Sequence, residues 1–136
     1  MFTKPTTVSI PTDDLEKAYR FYLEGIGLDL AAETDDDERP EPVVFRLSEG
    51  LNFMLVPREG FDWITPGNEV AKPGISECVL CIALDSEDEV NVLVERARRA
   101  GAAIPDEPSQ RPWGYAGYFQ DLDGHIWMAL CEGGEQ

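Results

Sequence analysis

An internal repeat at an offset of 74 residues, the separation of Phe45 from Phe119 along the chain, is the feature that most constrains the fold. At this offset helix caps, glycines and large apolar side chains coincide. The matched pairs are Thr12 and Ser86, Gly27 and Gly101, Phe45 and Phe119, Phe53 and Trp127, and Met54 and Met128. Each half has the pattern of a strand, a helix and three strands, so the sequence predicts two tandem βαβββ modules. One helix covers only one face of a four-stranded sheet, so each module is expected to pack against the other or against a second chain.

The predicted modules cover residues 4–57 and 75–132, and a linker at 58–74 separates them. The linker is rich in glycine and proline and breaks the periodic pattern, with room for one helical turn. An acidic run at residues 35–38 lacks the remaining ligands and the glycine of a calcium loop. We interpret that run as a solvated loop.

Each module is predicted to contain one amphipathic helix. The first helix is expected to begin after a cap at Thr12 or Asp13, and the second after Ser86, which has Glu89 at the spacing of a capping box. Gly101 is expected to end the second helix. These signals place the helices in equivalent positions of the two modules.

The net charge limits the classes of binding partner that the chain is expected to have. It has 11 basic against 27 acidic residues, a net charge of −16, which argues against nucleic acid and anionic membrane surfaces. The same charge favours cationic ligands, although its ordinary role is to keep a surface solvated. The sequence shows neither an apolar run of membrane-spanning length nor the apolar core of a signal peptide, so a cytoplasmic protein is expected.

The cysteines do not predict a metal or redox centre. Cys78 and Cys81 have the spacing of a CxxC motif, but both lie inside the strand predicted at residues 76–84. In a strand, positions i and i+3 point to opposite faces, so the two thiols are not expected to share one metal ion. With Cys131 they are also too few for a disulfide framework.

With its paired modules, the chain resembles the vicinal oxygen chelate superfamily, which includes glyoxalase I, extradiol dioxygenases, and fosfomycin- and bleomycin-resistance proteins. The motifs that carry the resemblance are residues 14–15, residues 19–22 and, most specifically, Phe-Gln-Asp-Leu-Asp-Gly-His-Ile-Trp at 119–127. The resemblance implies an α+β fold in which the two modules form a curved, mostly antiparallel eight-stranded sheet. Its concave side would be a ligand cleft, and its helices would lie on the convex side.

The alternation of strand side chains then selects the residues of the cleft. If Phe119 and Trp127 lie beneath the helices, as the resemblance implies, residues of the opposite parity face the ligand. These candidates are Thr7, Ser9, Arg46, Asn52, Met54, Val79, Cys81, Tyr118, Gln120 and Met128, with Trp113 and Tyr115 at the rim. Tyr118 and the methionines would form an adaptable apolar pocket, and Arg46, the one basic residue in a predicted strand, would suit an anionic group. A salt-bridged Arg46 and aromatic side chains used only for packing are the alternatives.

The family's metal enzymes place His or Glu near four points of the concave face. At those points this sequence offers Thr7, Asn52 or Met54, Val79 or Cys81, and Met128. Such residues do not replace the imidazole and carboxylate ligands of Fe²⁺, Mn²⁺, Ni²⁺ or Zn²⁺. The single histidine, His125, has the parity of the helix side. We therefore expect no metal and no cofactor, and the usual catalytic triads and phosphate loops are also missing from the sequence.

The preferred hypothesis is a protein of the bleomycin-resistance kind that binds a small apolar or cationic molecule in the cleft without the family metal. One alternative is a lyase or dioxygenase with a displaced metal site, so enzymatic activity stays open. Another is a regulatory or structural dimer with an unoccupied cleft. A homodimer is expected because each module leaves edge strands, and Phe61 and Trp63 of the linker are candidates for the contact.

Overall fold

The computed structural model describes residues 4–32 and 39–132. The chain divides into two compact units, Met1–Val70 and Ala71–Gln136, and the division falls within the predicted linker. The acidic run at residues 35–38 lies outside the described residues.

The first unit forms a four-stranded sheet with one main helix. Its elements are β1 (Thr7–Thr12), α1 (Leu15–Arg20), a π-helical turn (Phe21–Ile26), β2 (Asp29–Leu30), β3 (Val43–Ser48), β4 (Leu51–Pro57) and the single turn α2 (Arg58–Phe61). The strand order is β1-β4-β3-β2, with β1 parallel to β4 and the other pairs antiparallel. The short α2 is the helical turn expected in the linker.

The second unit repeats this topology. Its elements are β5 (Val79–Ala83), α3 (Glu87–Arg99), β6 (Ala103–Arg111), β7 (Gly114–Gln120) and β8 (Ile126–Cys131), in the order β5-β8-β7-β6. The predicted pair of βαβββ modules is confirmed. The eight strands form two four-stranded mixed sheets, each with one parallel pair, instead of one eight-stranded sheet.

The helix starts agree with the sequence in one unit and differ in the other. Ser86 caps α3 through a 3.1 Å hydrogen bond from the Glu89 backbone N–H to its hydroxyl, as predicted. The cap of α1 is Asp14, whose carboxylate accepts the Lys17 N–H at 3.1 Å. The prediction of Thr12 or Asp13 was wrong because β1 stays paired as far as Thr12, which moves the helix start along the chain.

The core of each unit lies between its sheet and its main helix. Phe45 and Phe53 are fully buried, and the Tyr22 ring lies 6.0 and 5.0 Å from their rings. In the second unit Phe119 and Trp127 are buried and stack in parallel at 6.1 Å. Phe45 and Phe119 therefore occupy equivalent faces of their sheets, as the repeat predicts, and this face is the helix side, as the resemblance implies. None of the described helices has the length and hydropathy needed to cross a membrane.

Candidate functional site

The strand registers define one sheet face opposite α1 in the first unit and one opposite α3 in the second. Directly paired strand residues share a face, and the faces alternate along each strand. Because Phe45, Phe53, Phe119 and Trp127 point to the helices, the residues next to them in sequence point to the opposite faces.

The face opposite α1 brings the first group of predicted residues together in two rows. Asn52 is paired with both Thr7 and Arg46, and Met54 is paired with both Ser9 and Val44. The predicted set in this unit therefore forms one continuous patch across three strands.

Arg46 lies at the margin of that patch. Its Nη2 donates to the carbonyl of Ala31 at 3.2 Å, and within residues 4–32 and 39–132 it forms no ion pair. It lines an open recess of about 600 Å³ together with Asp29 of β2. The guanidinium is thus accessible to a polar group of a ligand.

The face opposite α3 assembles the second group around Met128. Met128 is paired with Cys81 on one side and with Tyr118 on the other, and Ile126 is paired with Val79 and Gln120. The phenol of Tyr118 and the carboxamide of Gln120 have no hydrogen-bond partner among the residues the structure describes. This face therefore combines a polarizable apolar centre with two polar groups, of Tyr118 and Gln120, that are available to a ligand.

Tyr115 is a correction to the predicted set. Its hydroxyl donates to Oδ1 of Asn91 on α3 at 2.8 Å, so the ring lies on the helix side of the sheet. The reason is strand alternation, since Tyr115 shares the parity of the buried Phe119. Trp113 lies in the turn between β6 and β7 and is 52% exposed.

Sequence reasoning missed two charged residues on the face opposite α3. The sequence pattern predicts only a short strand at residues 102–104, followed by a proline-rich loop. In the structure β6 runs to Arg111 and places Asp106 beside Tyr118. Arg46 is therefore not the one basic residue in a strand. Pro105 and Pro108 argued against a strand here, because proline cannot donate to the hydrogen-bond ladder of a sheet and is tolerated only at edges and bulges. The register of β6 does shift on both sides of Asp106, which is how an edge strand accommodates them.

The thiol of Cys81 is not set up as a nucleophile. Burial raises its pKa above the ordinary value, and the negative charge of Glu132 raises it further. The thiolate is the reactive form, so a raised pKa lowers reactivity near neutral pH. Cys81 is better suited to contact an apolar ligand than to attack one.

The residues at the four family metal positions do not fit a divalent transition metal. They offer the hydroxyl of Thr7, the amide of Asn52 or the thioether of Met54, the apolar side chain of Val79 or the protonated thiol of Cys81, and the thioether of Met128. This donor set contains neither imidazole nor carboxylate, the groups such ions require from a site of this kind.

A different group of possible ligand atoms lies in the turn between β7 and β8. Atoms of Asp121, Asp123 and His125 lie within 4.8 Å of one another, and both carboxylates are buried. Oδ1 of Asp121 accepts the backbone N–H groups of Asp123 at 2.9 Å and His125 at 2.8 Å. These bonds fix the turn around Gly124, so the conformation of the turn itself accounts for the arrangement of Asp121.

Acid is expected to weaken the second unit through two carboxylates on β6. A hydrogen bond from Arg111 lowers the pKa of Asp106, and one from Arg98 lowers the pKa of Glu107. A carboxylate with a lowered folded-state pKa stabilises the fold above its unfolded pKa of about 4, and this contribution disappears as the pH falls through the folded value.

Urea unfolding between about pH 7 and about pH 3 measures this effect. The fall in stability below about pH 4 should be smaller in Asp106→Asn than in the unaltered protein. Glu69→Gln is the control, because Glu69 is exposed and forms no ion pair with a described residue. An unchanged acid profile in Asp106→Asn would contradict the role assigned to the Arg111 pair.

Comparison with known proteins gives one family and one fold. Residues 4–129 match the model of the Glyoxalase/Bleomycin resistance protein/Dioxygenase superfamily. The chain is 28% identical over 123 residues to the uncharacterized protein YetH of Bacillus subtilis (strain 168), covering 90% of this chain and 92% of that protein.

Solved structures match along nearly the whole chain. A glyoxalase-related enzyme from Fulvimarina pelagi has a TM-score of 0.80 and 24% identity, covering 96% of this chain and 88% of that one. TnmS3, an antibiotic binding protein from Streptomyces sp. CB03234, has a TM-score of 0.67 and 25% identity, covering 97% and 98%. The same fold is thus found in a glyoxalase-related enzyme and in a binding protein.

Proposed function

Because the chain belongs to the Glyoxalase/Bleomycin resistance protein/Dioxygenase superfamily, we propose that it binds a small apolar or cationic molecule without the family metal. The binding surface is the sheet face opposite α3. The ligand is held by burial and aromatic contact, and no bond is made or broken. The acidic charge of the chain attracts a cation at long range.

The observation that carries this proposal is the row Cys81, Met128 and Tyr118 across three adjacent strands. A thiol, a thioether and an aromatic ring make a polarizable surface that adapts to an apolar ligand. The Tyr118 hydroxyl and the Gln120 amide are unused by described residues and would fix its orientation. Where a metal enzyme of this family has carboxylate and imidazole, the chain has groups suited to dispersion contacts.

The likeness to TnmS3 supports a binding function, since that protein is an antibiotic binding protein of the same fold and similar length. The family also contains enzymes, so a lyase or dioxygenase with a displaced metal site is the second candidate. The observation in its favour is the group Asp121, Asp123 and His125, and against it stands the use of Asp121 to hold the turn. The third candidate is a regulatory or structural dimer with an unoccupied cleft.

Fluorescence titration with three probes tests the binding function: proflavine as a planar cation, Nile red as an apolar neutral molecule, and metal-free bleomycin. Saturable binding of proflavine or Nile red is expected, and Tyr118→Ala should weaken it at least about tenfold, the size expected for a central aromatic contact. Tyr115→Ala is the matched control, because Tyr115 lies on the helix side. Equal loss in both variants, or no saturable binding of any probe, would contradict the proposal.

Metal analysis separates binding from the enzymatic candidate. The purified protein is expected to contain no stoichiometric Fe, Mn, Ni or Zn, and a chelator should not change probe binding. One equivalent of such a metal would instead favour the enzyme.

Light scattering on the same preparation tests the proposed homodimer. A particle of 15.2 kDa, the mass of one chain, would contradict the dimer.

A further inference from the structure

Arg111 lies next to the proposed binding surface and donates hydrogen bonds from all three of its side-chain nitrogens. It ends β6, and its side chain is only 13% exposed. Nε donates to the carbonyl of Ala116 at 3.1 Å, Nη2 to the carbonyl of Glu107 at 2.9 Å, and Nη1 to the carboxylate of Asp106 at 2.6 Å. All three nitrogens thus donate to groups on β6 and β7, which fixes the guanidinium plane.

The fixed guanidinium lies against Tyr118. Its Cζ is 5.4 Å from the centre of the Tyr118 ring, within the range of a cation–π contact. Asp106, which binds Arg111, is also the strand partner of Tyr118. The cation beside the ring and the strand partner of Tyr118 are therefore bonded to each other, at 2.6 Å.

The irregular register of β6 makes this arrangement possible. Pairing between β6 and β7 shifts before and after Asp106, and Pro108 packs so closely on Gly117 that an added Cβ there would lie 2.8 Å from the proline ring. Because the ladder is irregular on both sides of Asp106, the bond from Arg111 to the Ala116 carbonyl adds a tie between the edge strand and β7. The other two bonds of Arg111, to Glu107 and Asp106, lie within β6.

We propose that Arg111 is a positioning residue that holds the Tyr118 ring in the orientation needed for ligand binding. This inference rests on the proposed binding function. Arg111 acts through Tyr118 and not by direct contact, because Asp106 neutralises its charge and its three nitrogens are engaged. The surface offered to the ligand is accordingly an oriented ring with little local charge, which favours planar, uncharged parts of a ligand.

The first arm of the test uses the ligand-free protein, so that it does not depend on the proposed function. The chain has four tyrosines, and the NMR signals of a labelled Tyr118 ring are identified with Tyr118→Phe. Arg111→Lys keeps the charge but cannot reproduce the three hydrogen bonds of the planar guanidinium. It should therefore shift the Tyr118 ring signals and increase the mobility of the ring. Arg98→Gln is the control, since Arg98 also binds β6, through Glu107 at 2.7 Å, but its ion pairs are with Glu95 and Glu107 and do not involve the partners of Arg111 on β7.

The second arm measures the affinity for Nile red, an uncharged probe. Arg111→Lys and Arg111→Gln are each expected to weaken binding about tenfold, within the usual range of coupling between residues in contact. In the Tyr118→Ala background, Arg111→Lys should have no further effect, because the ring that it positions is gone.

The outcomes are distinct. Unmoved Tyr118 signals in Arg111→Lys would overturn the positioning role even if the protein binds no probe. Equal losses from Arg111→Lys with and without Tyr118 would also overturn it, since Arg111 would then contact the ligand itself. Absence of Nile red binding combined with shifted Tyr118 signals would overturn the ligand-binding part of the inference and leave the Arg111–Tyr118 coupling supported.

Discussion

Trp127→Ala is expected to lower the free energy of unfolding by about 3–5 kcal/mol, the usual cost of deleting a fully buried large aromatic side chain. Trp127 is 1% exposed and stacks on Phe119 with an angle of 2° between the rings. Truncation removes both the burial and the stacking, and it leaves a cavity beneath α3 that the fully buried Val90 and Val94 can fill only in part.

Urea unfolding followed by circular dichroism measures this loss. Trp113→Ala is the matched control, because Trp113 is in the same unit but half exposed, and its removal should change stability by less than about 1 kcal/mol. Trp127→Phe should fall between the two, since it keeps a ring at the position. Similar losses from Trp127→Ala and Trp113→Ala would contradict the assignment of Trp127 to the core.

Gly114→Ala is expected to lower stability by roughly 2–5 kcal/mol, because backbone strain and steric overlap add at one position. Gly114 begins β7 with φ of 135°, a conformation that L side chains rarely adopt. A Cβ there would lie 2.7 Å from the carbonyl oxygen of Cys131. That oxygen belongs to the backbone of the adjacent strand, so the overlap is relieved only by moving the strand.

Two other glycines separate the causes. Gly50 has φ of 83° but nothing within 4 Å of an added Cβ, so Gly50→Ala isolates the strain, about 1–2 kcal/mol. Gly60 has neither feature, and Gly60→Ala should be neutral or stabilising by up to about 1 kcal/mol. Equal stability of the Gly114→Ala, Gly50→Ala and Gly60→Ala variants would contradict the close approach of β8 to Gly114.

Much of the fold follows from local patterns in the sequence. Ser86 and Glu89 marked the start of α3, and the offset of the repeat predicted that Phe45 and Phe119 lie on equivalent faces of their sheets. Caps and strand alternation are properties of neighbouring residues, so they can be recognised without knowing the register. The residues opposite the helices, including Met128 beside Tyr118, follow from the same alternation.

The failures lie where register or a long contact decided the structure. Tyr115 was predicted at the rim of the site, but its hydroxyl binds Asn91, 24 positions away along the chain. The start of α1 was misplaced because Thr12 remains paired with Pro57. The end of β1 depends on its pairing with β4, which is distant along the chain. A cap signal depends only on neighbouring residues, so it does not predict where that pairing ends.

The sequence by itself determined the tandem modules and which residues of a strand share a face, because both depend on residue type at a regular spacing. The resemblance to the superfamily supplied which face lies under the helices and where the family's metal ligands would stand. Only the tertiary structure decided that β6 reaches Arg111, and that Arg111 joins Asp106 to the face of Tyr118. That arrangement depends on two register shifts in a strand containing prolines. Each shift changes which side chains face each other, and sequence periodicity carries no information about where a shift occurs.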